Sequence, residues 1–150
     1  VALHSVGEIF EDEFLIEKAE QRARELVQNQ ADDGHFPEYG GPDVGYHSLT
    51  LSLLVAYLGK TSSKPVSAAL QRGFDFLRSR LAEDATFDYN SCSRRTQFLY
   101  PSGFILMGEA DLAAAHLLGC QAGKVLLPSW MDDRYCFQLA TDYLVAGLRG

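Results

Sequence analysis

The stretch that decides the fold is LTLSLLVAYL, residues 49–58. Seven of its ten side chains are large and apolar, and they point in almost every direction around a helix. A helix that lacks a polar face must be buried on all sides, so we expect this one at the centre of the molecule. The helix is predicted to begin near Asp43 or Gly45 and to end at Leu58, because Gly59 and a polar turn follow.

Helices with a single apolar face flank this central segment. One is predicted from about Glu11 to about Gln30, and another follows Pro65, which suits the first turn of a helix. In both of them the charged residues fall mainly off the apolar stripe. A closing helix of the same kind is predicted over residues 134–148.

The segment FILMGEADLAAAHLLG, residues 104–119, is again apolar nearly all round, and Gly108 and Glu109 mark a point where it can divide in two. No segment shows the alternation of a strand. The sequence therefore predicts a single all-α domain over residues 1–150, in which antiparallel helical hairpins form two layers with the wholly apolar helices inside.

Composition limits the partners of this domain. The formal net charge is −7 and no large basic cluster is present, which argues against nucleic acid. The most apolar stretch has ten residues, too few to span a bilayer, and no signal peptide is evident. The chain lacks an initial Met, so localisation stays open between cytoplasm and periplasm.

Metal centres, disulfides and cofactors are not expected. The three cysteines are widely spaced and form no CxxC or CxH grouping. His35 and His47, with nearby acids, match no compact metal-binding pattern such as HExxH. We therefore predict reduced thiols, no metal and no cofactor.

Two long polar and aromatic connections follow the amphipathic helices. The first is NQADDGHFPEYGGPDVGYHS, residues 29–48, and the second is AEDATFDYNSCSRRTQFLYPSG, residues 82–103. Phe36 and Phe87 lie 51 positions apart (87 − 36), and each follows acidic residues and precedes a tyrosine. A period near 50 residues predicts stacked helical hairpins whose connections gather at one end of the helices.

The first connection resembles the helix-to-loop segment of α/α-toroid proteins. The matching positions are Gln30, Asp33, Gly34, His35 and Phe36. The families built on this architecture include glycoside hydrolases, polysaccharide lyases, and terpene cyclases with related prenyltransferases. The resemblance implies a partial toroid, because complete toroids have ten to fourteen helices and this chain has room for about five or six.

A catalytic set and a binding set follow from that resemblance and from side-chain chemistry. Glu38 and Asp43 are the candidate carboxylate pair of a hydrolase, and Tyr46 or His47 is the candidate base of a lyase. Six further residues suit saccharides through aromatic faces, amides and a guanidinium: His35, Tyr39, Tyr89, Asn90, Arg94 and Tyr100. The structural alternative is that Asp43 caps a helix, and that Tyr46 and His47 are buried and satisfied by hydrogen bonds.

Three functions stay open at this point. The first is a carbohydrate-active domain of lyase or hydrolase type, which binds a saccharide or another small molecule in a cleft lined by the long connections. The second is a non-catalytic helical scaffold, in which a partner chain or a second copy covers apolar helix faces. The third is a terpenoid cyclase-like domain, although the DxDD motif of that class is absent. The sequence also leaves open whether the domain is an open arc, a fragment of a longer chain, or a layer completed by a partner.

Overall fold

The computed structural model of this protein describes residues 1–126, 129 and 133–149. Within these residues the chain forms seven α-helices, and the expectation of an all-α fold is confirmed. The helices are α1 (Ala2–Phe10), α2 (Glu13–Gln28), α3 (Val44–Leu58), α4 (Lys64–Arg80), α5 (Ser102–Leu106), α6 (Ala110–Gln121) and α7 (Asp133–Arg149). A 3₁₀ turn at Tyr89–Ser91 lies in the second connection.

The packing follows the predicted alternation of amphipathic and apolar helices. The amphipathic helices α2 and α4 pack against each other, and the apolar helices α3 and α5 do the same. Helix α3 also packs against α4, while α6 and α7 pack against α5. Burial of α3 and α4 against each other supplies most of the core, which includes Leu51, Leu54, Leu70, Phe74 and Leu77.

One face of α3 is open, so the expectation that this helix is buried on all sides is wrong. Nine of its residues are buried, but Leu53 is 50% exposed and Ala56 is exposed. Leu49, Leu53 and Ala56 recur at spacings of four and three, so they share one side of the helix. That side faces a groove shared with α7.

The first helix, α1, was not anticipated from the sequence. Ile9 and Phe10 in its last turn are both largely exposed. Glu11 adopts a left-handed φ of 53° and ends α1. Asp12 then caps α2 by accepting a hydrogen bond from the backbone N–H of Leu15 at 3.2 Å, and α1 packs against α2.

The repeat of 51 residues is visible in the geometry of two turns. The N–H of Ala31 donates to the carbonyl of His35 at 2.9 Å, and the N–H of Ala82 donates to the carbonyl of Thr86 at the same distance. The residue before each acceptor has a positive φ, 94° at Gly34 and 57° at Ala85. The connections that follow α2 and α4 therefore begin with turns of the same shape.

Candidate functional site

The two long connections meet at the N-terminal end of α3. Asp43 is completely buried there and caps the helix, because its Oδ1 accepts a hydrogen bond from the backbone N–H of Tyr46 at 3.0 Å. Its Oδ2 accepts hydrogen bonds from the backbone N–H groups of Arg94 at 2.9 Å and Thr96 at 3.3 Å. One carboxylate therefore fixes the start of α3 and holds a segment that lies 51 positions further along the chain.

A second contact between the connections involves Ser93. Its backbone N–H donates to the carbonyl of Pro42 at 3.0 Å, and its hydroxyl donates to the carbonyl of Glu38 at 2.5 Å. These bonds involve main-chain atoms on the first connection, so they hold its path and not only a side chain. The gathering of both connections at one end of the helices, predicted from the repeat, is present in the structure.

A tight turn displays Tyr39 on this surface. The backbone groups of Glu38 and Gly41 bond to each other in both directions, at 2.8 and 3.3 Å. The two central residues, Tyr39 and Gly40, have φ values of 52° and 84°, as in a type I′ turn. Tyr39 at the tip of this turn is 83% exposed.

Arg94 lies between two tyrosine rings. Its guanidinium carbon is 4.6 Å from the centroid of the Tyr39 ring and 4.5 Å from that of Tyr46, which are cation–π distances. Its Nη1 donates to Glu38 at 2.9 Å, and this bond raises the pKa of Arg94 above its usual value. We call the surface formed by Glu38, Tyr39, Tyr46 and Arg94 the rim.

Tyr46 is anchored from beneath the rim by the last helix. Its hydroxyl lies 2.9 Å from that of Tyr135 in α7, and the Tyr135 ring packs on Phe98. Burial and this hydrogen bond raise the pKa of Tyr46 to about 12, so the phenol keeps its proton at neutral pH. A tyrosine that acts as a general base needs a lowered pKa, so the environment of Tyr46 suits a stacking role better than a catalytic one.

His47 points into the core, away from the rim. Its Nε2 lies 2.9 Å from the carbonyl oxygen of Gly73, and its Nδ1 lies 3.3 Å from the backbone N–H of Phe36. A neutral imidazole with the proton on Nε2 satisfies both partners, donating to Gly73 and accepting from Phe36. Burial lowers the pKa of His47 to about 4, which also favours this neutral form.

The predicted carboxylate pair is divided between the interior and the surface. Asp43 is fully buried and accepts three backbone hydrogen bonds, whereas Glu38 is half-buried and paired with Arg94. A hydrolase needs both carboxyl groups beside the glycosidic bond. The position of Asp43 gives it the capping role that the sequence offered as the structural alternative.

The remaining predicted binding residues do not join the stack of Arg94 with the two tyrosines. His35 bonds Asp33 at 2.5 Å and its ring packs on Phe76. Tyr89 and Asn90 form the 3₁₀ turn, and Tyr89 lines a cavity of about 210 Å³. Tyr100 is buried, and its hydroxyl is directed towards Gln138 of α7 at 3.4 Å.

Three residues that shape the rim were not singled out from the sequence. Tyr135 comes from a helix 89 positions away, and its only sequence signal is membership of an apolar stripe. Thr96 contacts the first connection through its backbone N–H, which residue type does not reveal, and Ser93 does so through its backbone N–H and its hydroxyl.

The described part of the chain holds no cluster of three or more His, Cys, Asp or Glu side chains arranged to bind a metal ion. Within residues 1–126, 129 and 133–149, no helix combines the length and the apolar character that a membrane crossing requires.

No family model, no curated protein and no solved structure matches this chain. The resemblance to α/α toroids therefore stays a proposal that rests on the residues of the first connection.

Proposed function

We propose that this protein is a carbohydrate-binding domain of α/α-toroid type and that the rim receives the saccharide. The observation that carries the proposal is the Tyr39–Arg94–Tyr46 stack at the junction of the two connections. An exposed aromatic ring offers a flat apolar face, which suits the C–H face of a pyranose. Tyr39 presents such a face at the tip of a rigid turn, so little conformational entropy is lost on binding.

The polar groups beside the ring suit hydroxyl groups. Among the described residues, the Nε and Nη2 groups of Arg94 have no hydrogen-bond partner, and the Glu38 carboxylate retains acceptor capacity. A guanidinium donates and a carboxylate accepts, so together they can bind neighbouring hydroxyls of one sugar. Because their charges offset each other, the rim favours a neutral saccharide over a polyanion.

Binding is better supported than catalysis. The Tyr46 pKa is raised, His47 is buried in its neutral form, and Asp43 is occupied by backbone N–H groups. The lyase and hydrolase activities stay as predictions. They are checked by ultraviolet absorbance of unsaturated products with uronate polymers and by release of reducing ends from neutral glycans.

The binding proposal is tested by calorimetric titration with neutral and uronate oligosaccharides. Tyr39→Asn removes the ring while keeping a residue that tolerates positive φ, and we expect at least about tenfold weaker binding, on the order of 1.4 kcal/mol. Phe10→Asn, at an exposed aromatic on α1, is the matched control and should leave the affinity unchanged. Absence of binding to every saccharide, or equal affinities for the wild type and Tyr39→Asn, would contradict the proposal.

A second candidate function, a scaffold that binds a partner chain or a second copy, is favoured by exposed apolar side chains on α7. Phe137 is 79% exposed there, and Leu144 and Leu148 are also largely exposed. Contiguous apolar surface of this kind marks interaction sites in soluble proteins. Sedimentation over a range of concentrations tests for self-association, and a monomer at all concentrations would remove the second-copy form of this candidate.

A further inference from the structure

A groove separate from the rim runs between α3, α5 and α7. Its volume is about 320 Å³, at the small end of the range that ligand sites occupy, about 300–1,000 Å³. The walls are mainly apolar, with Leu49, Leu53 and Ala56 of α3 on one side and Phe137 and Val145 of α7 on the other. The groove is where the open stripe of α3 meets the last helix.

One carboxylate lies in this apolar groove. Asp142 of α7 accepts hydrogen bonds from the backbone N–H of Ser102 at 2.9 Å and from its hydroxyl at 2.5 Å. Both donors are neutral, and no salt bridge joins Asp142 to another side chain in the described residues. The two oxygens of a carboxylate can accept more than two hydrogen bonds, so Asp142 retains acceptor capacity. Its neutral donors do not offset the negative charge of the carboxylate.

The neighbouring polar groups that the structure describes do not supply a cation. Tyr100 directs its hydroxyl to Gln138, and Thr141 donates its hydroxyl to the carbonyl of Phe137 in its own helix. The groove therefore combines apolar walls with a single anionic group. A ligand that matches it has an apolar body and one positively charged head, because apolar surroundings strengthen a charge pair relative to water.

We propose that the α3–α5–α7 groove binds small amphiphilic amines, with the apolar body along α3 and the ammonium group at Asp142. The occupant is a small molecule because the groove is short, and it is cationic because Asp142 has no charged partner among the side chains that the structure describes. The rim and this groove are different sites: the exposed tyrosine that defines the rim, Tyr39, does not line the groove.

The test compares n-octylammonium, n-octanol and n-octanoate, which share an apolar body and differ in the head group. Each is titrated below its micelle concentration and followed by calorimetry and amide NMR spectra. We expect the ammonium to bind at least about tenfold more tightly than the alcohol, and the carboxylate to bind more weakly than both. Equal affinities for all three ligands would overturn the proposal.

Three variants assign the binding to the groove. Asp142→Asn keeps an oxygen for Ser102, and it should abolish the preference for the ammonium while leaving octanol binding intact. Ala56→Phe places a ring in the groove from an exposed position on α3, and it should abolish binding of both ligands. Glu17→Gln, on the exposed face of α2, is the matched control and should change neither affinity.

Two further outcomes would overturn the proposal. One is an ammonium preference that survives Asp142→Asn, and the other is a concentration-dependent dimer in which a second copy occupies the groove and excludes octylammonium. Tyr39→Asn should leave octylammonium binding unchanged, so failure of the saccharide proposal and failure of this one are distinguishable.

Discussion

At the scale of single residues, Asp43 and His47 connect segments that lie far apart in the chain. Asp43 binds the backbone of the second connection, while His47 lies between the first connection, through Phe36, and helix α4, through Gly73. Asp43 and His47 each have a hydrogen-bond partner for both of their polar side-chain atoms. Removal of either side chain leaves backbone groups without partners inside the protein, where water does not replace them.

His47 makes the stability of the protein depend on pH. Its pKa is about 4 in the folded protein because of burial, against an ordinary value near 6.5. As pH falls below 6.5 the unfolded chain therefore takes up a proton first, so the stabilising contribution is complete above that pH and is lost towards pH 4. Between pH 7 and pH 5 the expected loss is about 2 kcal/mol.

His116 is also buried with a pKa of about 4, so it adds a pH dependence of the same direction. Comparison of the wild type with His47→Gln isolates the contribution of His47, because His116 is present in both proteins. We expect the variant to be less stable than the wild type at pH 7, and the difference to shrink by about 2 kcal/mol at pH 5. Urea unfolding followed by circular dichroism at the two pH values measures it. A difference that stays constant with pH would show that His47 is not a buried neutral group.

The chemistry of these residues could be predicted from the sequence, but their burial could not. Tyr46 and His47 are adjacent in the chain, yet one faces the rim and the other the core, because successive helical positions point about 100° apart. Which side of α3 is covered depends on the path of the second connection. The sequence does not specify that path, since its contacts with Asp43 are made by backbone N–H groups.

At the scale of helices, α3 and α5 are in unusually close contact. A Cβ atom added to Gly103 of α5 would lie 2.8 Å from the backbone nitrogen of Ser52 and 3.0 Å from its Cα. The N–H of Gly103 also donates to the Ser52 hydroxyl at 3.0 Å. The backbone of the short helix α5 therefore packs directly on α3. This close packing explains how a helix of only five residues contributes to the core.

Gly103→Ala should separate these helices. The methyl group meets backbone that has little freedom to shift, so we expect a loss of about 1–3 kcal/mol in the free energy of unfolding. Gly147→Ala is the matched control, because it lies in α7 with no heavy atom within 4 Å of the added Cβ. There the substitution should stabilise the helix by about 0.5–1 kcal/mol. Thermal unfolding measures both variants, and equal effects of the same sign would contradict the close contact.

The helices that carry a regular pattern could be predicted from the sequence. Both α2 and α4 have apolar stripes, and the break between α5 and α6 falls at Gly108, which has a φ of 74°. Helix α1 was not predicted, although Leu3, Val6 and Phe10 recur at the spacings of three and four that mark a helical stripe. The open stripe of α3 was not predicted, because its apolar residues look the same in the sequence whether or not a neighbouring helix covers them.

At the scale of the whole molecule, the central claim is that the two long connections form one surface. Both the rim and the saccharide proposal depend on contact between residues 38–46 and residues 93–96. The periodicity of 51 residues predicted that the two connections share one end of the helices, and it could not specify which atoms touch. An engineered disulfide between the connections tests that contact directly.

The structure places Gly41 and Ser93 at a Cβ–Cβ distance that a disulfide can span. A Cβ atom on Gly41 would lie 3.6 Å from the Cβ of Ser93, within the usual range of about 3.5–4.5 Å. Gly40, the preceding residue, has no atom within 4 Å of its added Cβ, so the pair Gly40→Cys with Ser93→Cys is the matched control. Both pairs are placed in a Cys136→Ser background, which removes the exposed native thiol.

The decisive measurement is peptide mapping after mild air oxidation, combined with urea unfolding. We predict that Gly41→Cys with Ser93→Cys forms the cross-link nearly completely and gains up to about 4 kcal/mol of stability on oxidation, while the Gly40 pair stays largely reduced. A cross-link that fails to form in the Gly41 pair, or that forms equally in both pairs, would contradict the contact between the two connections.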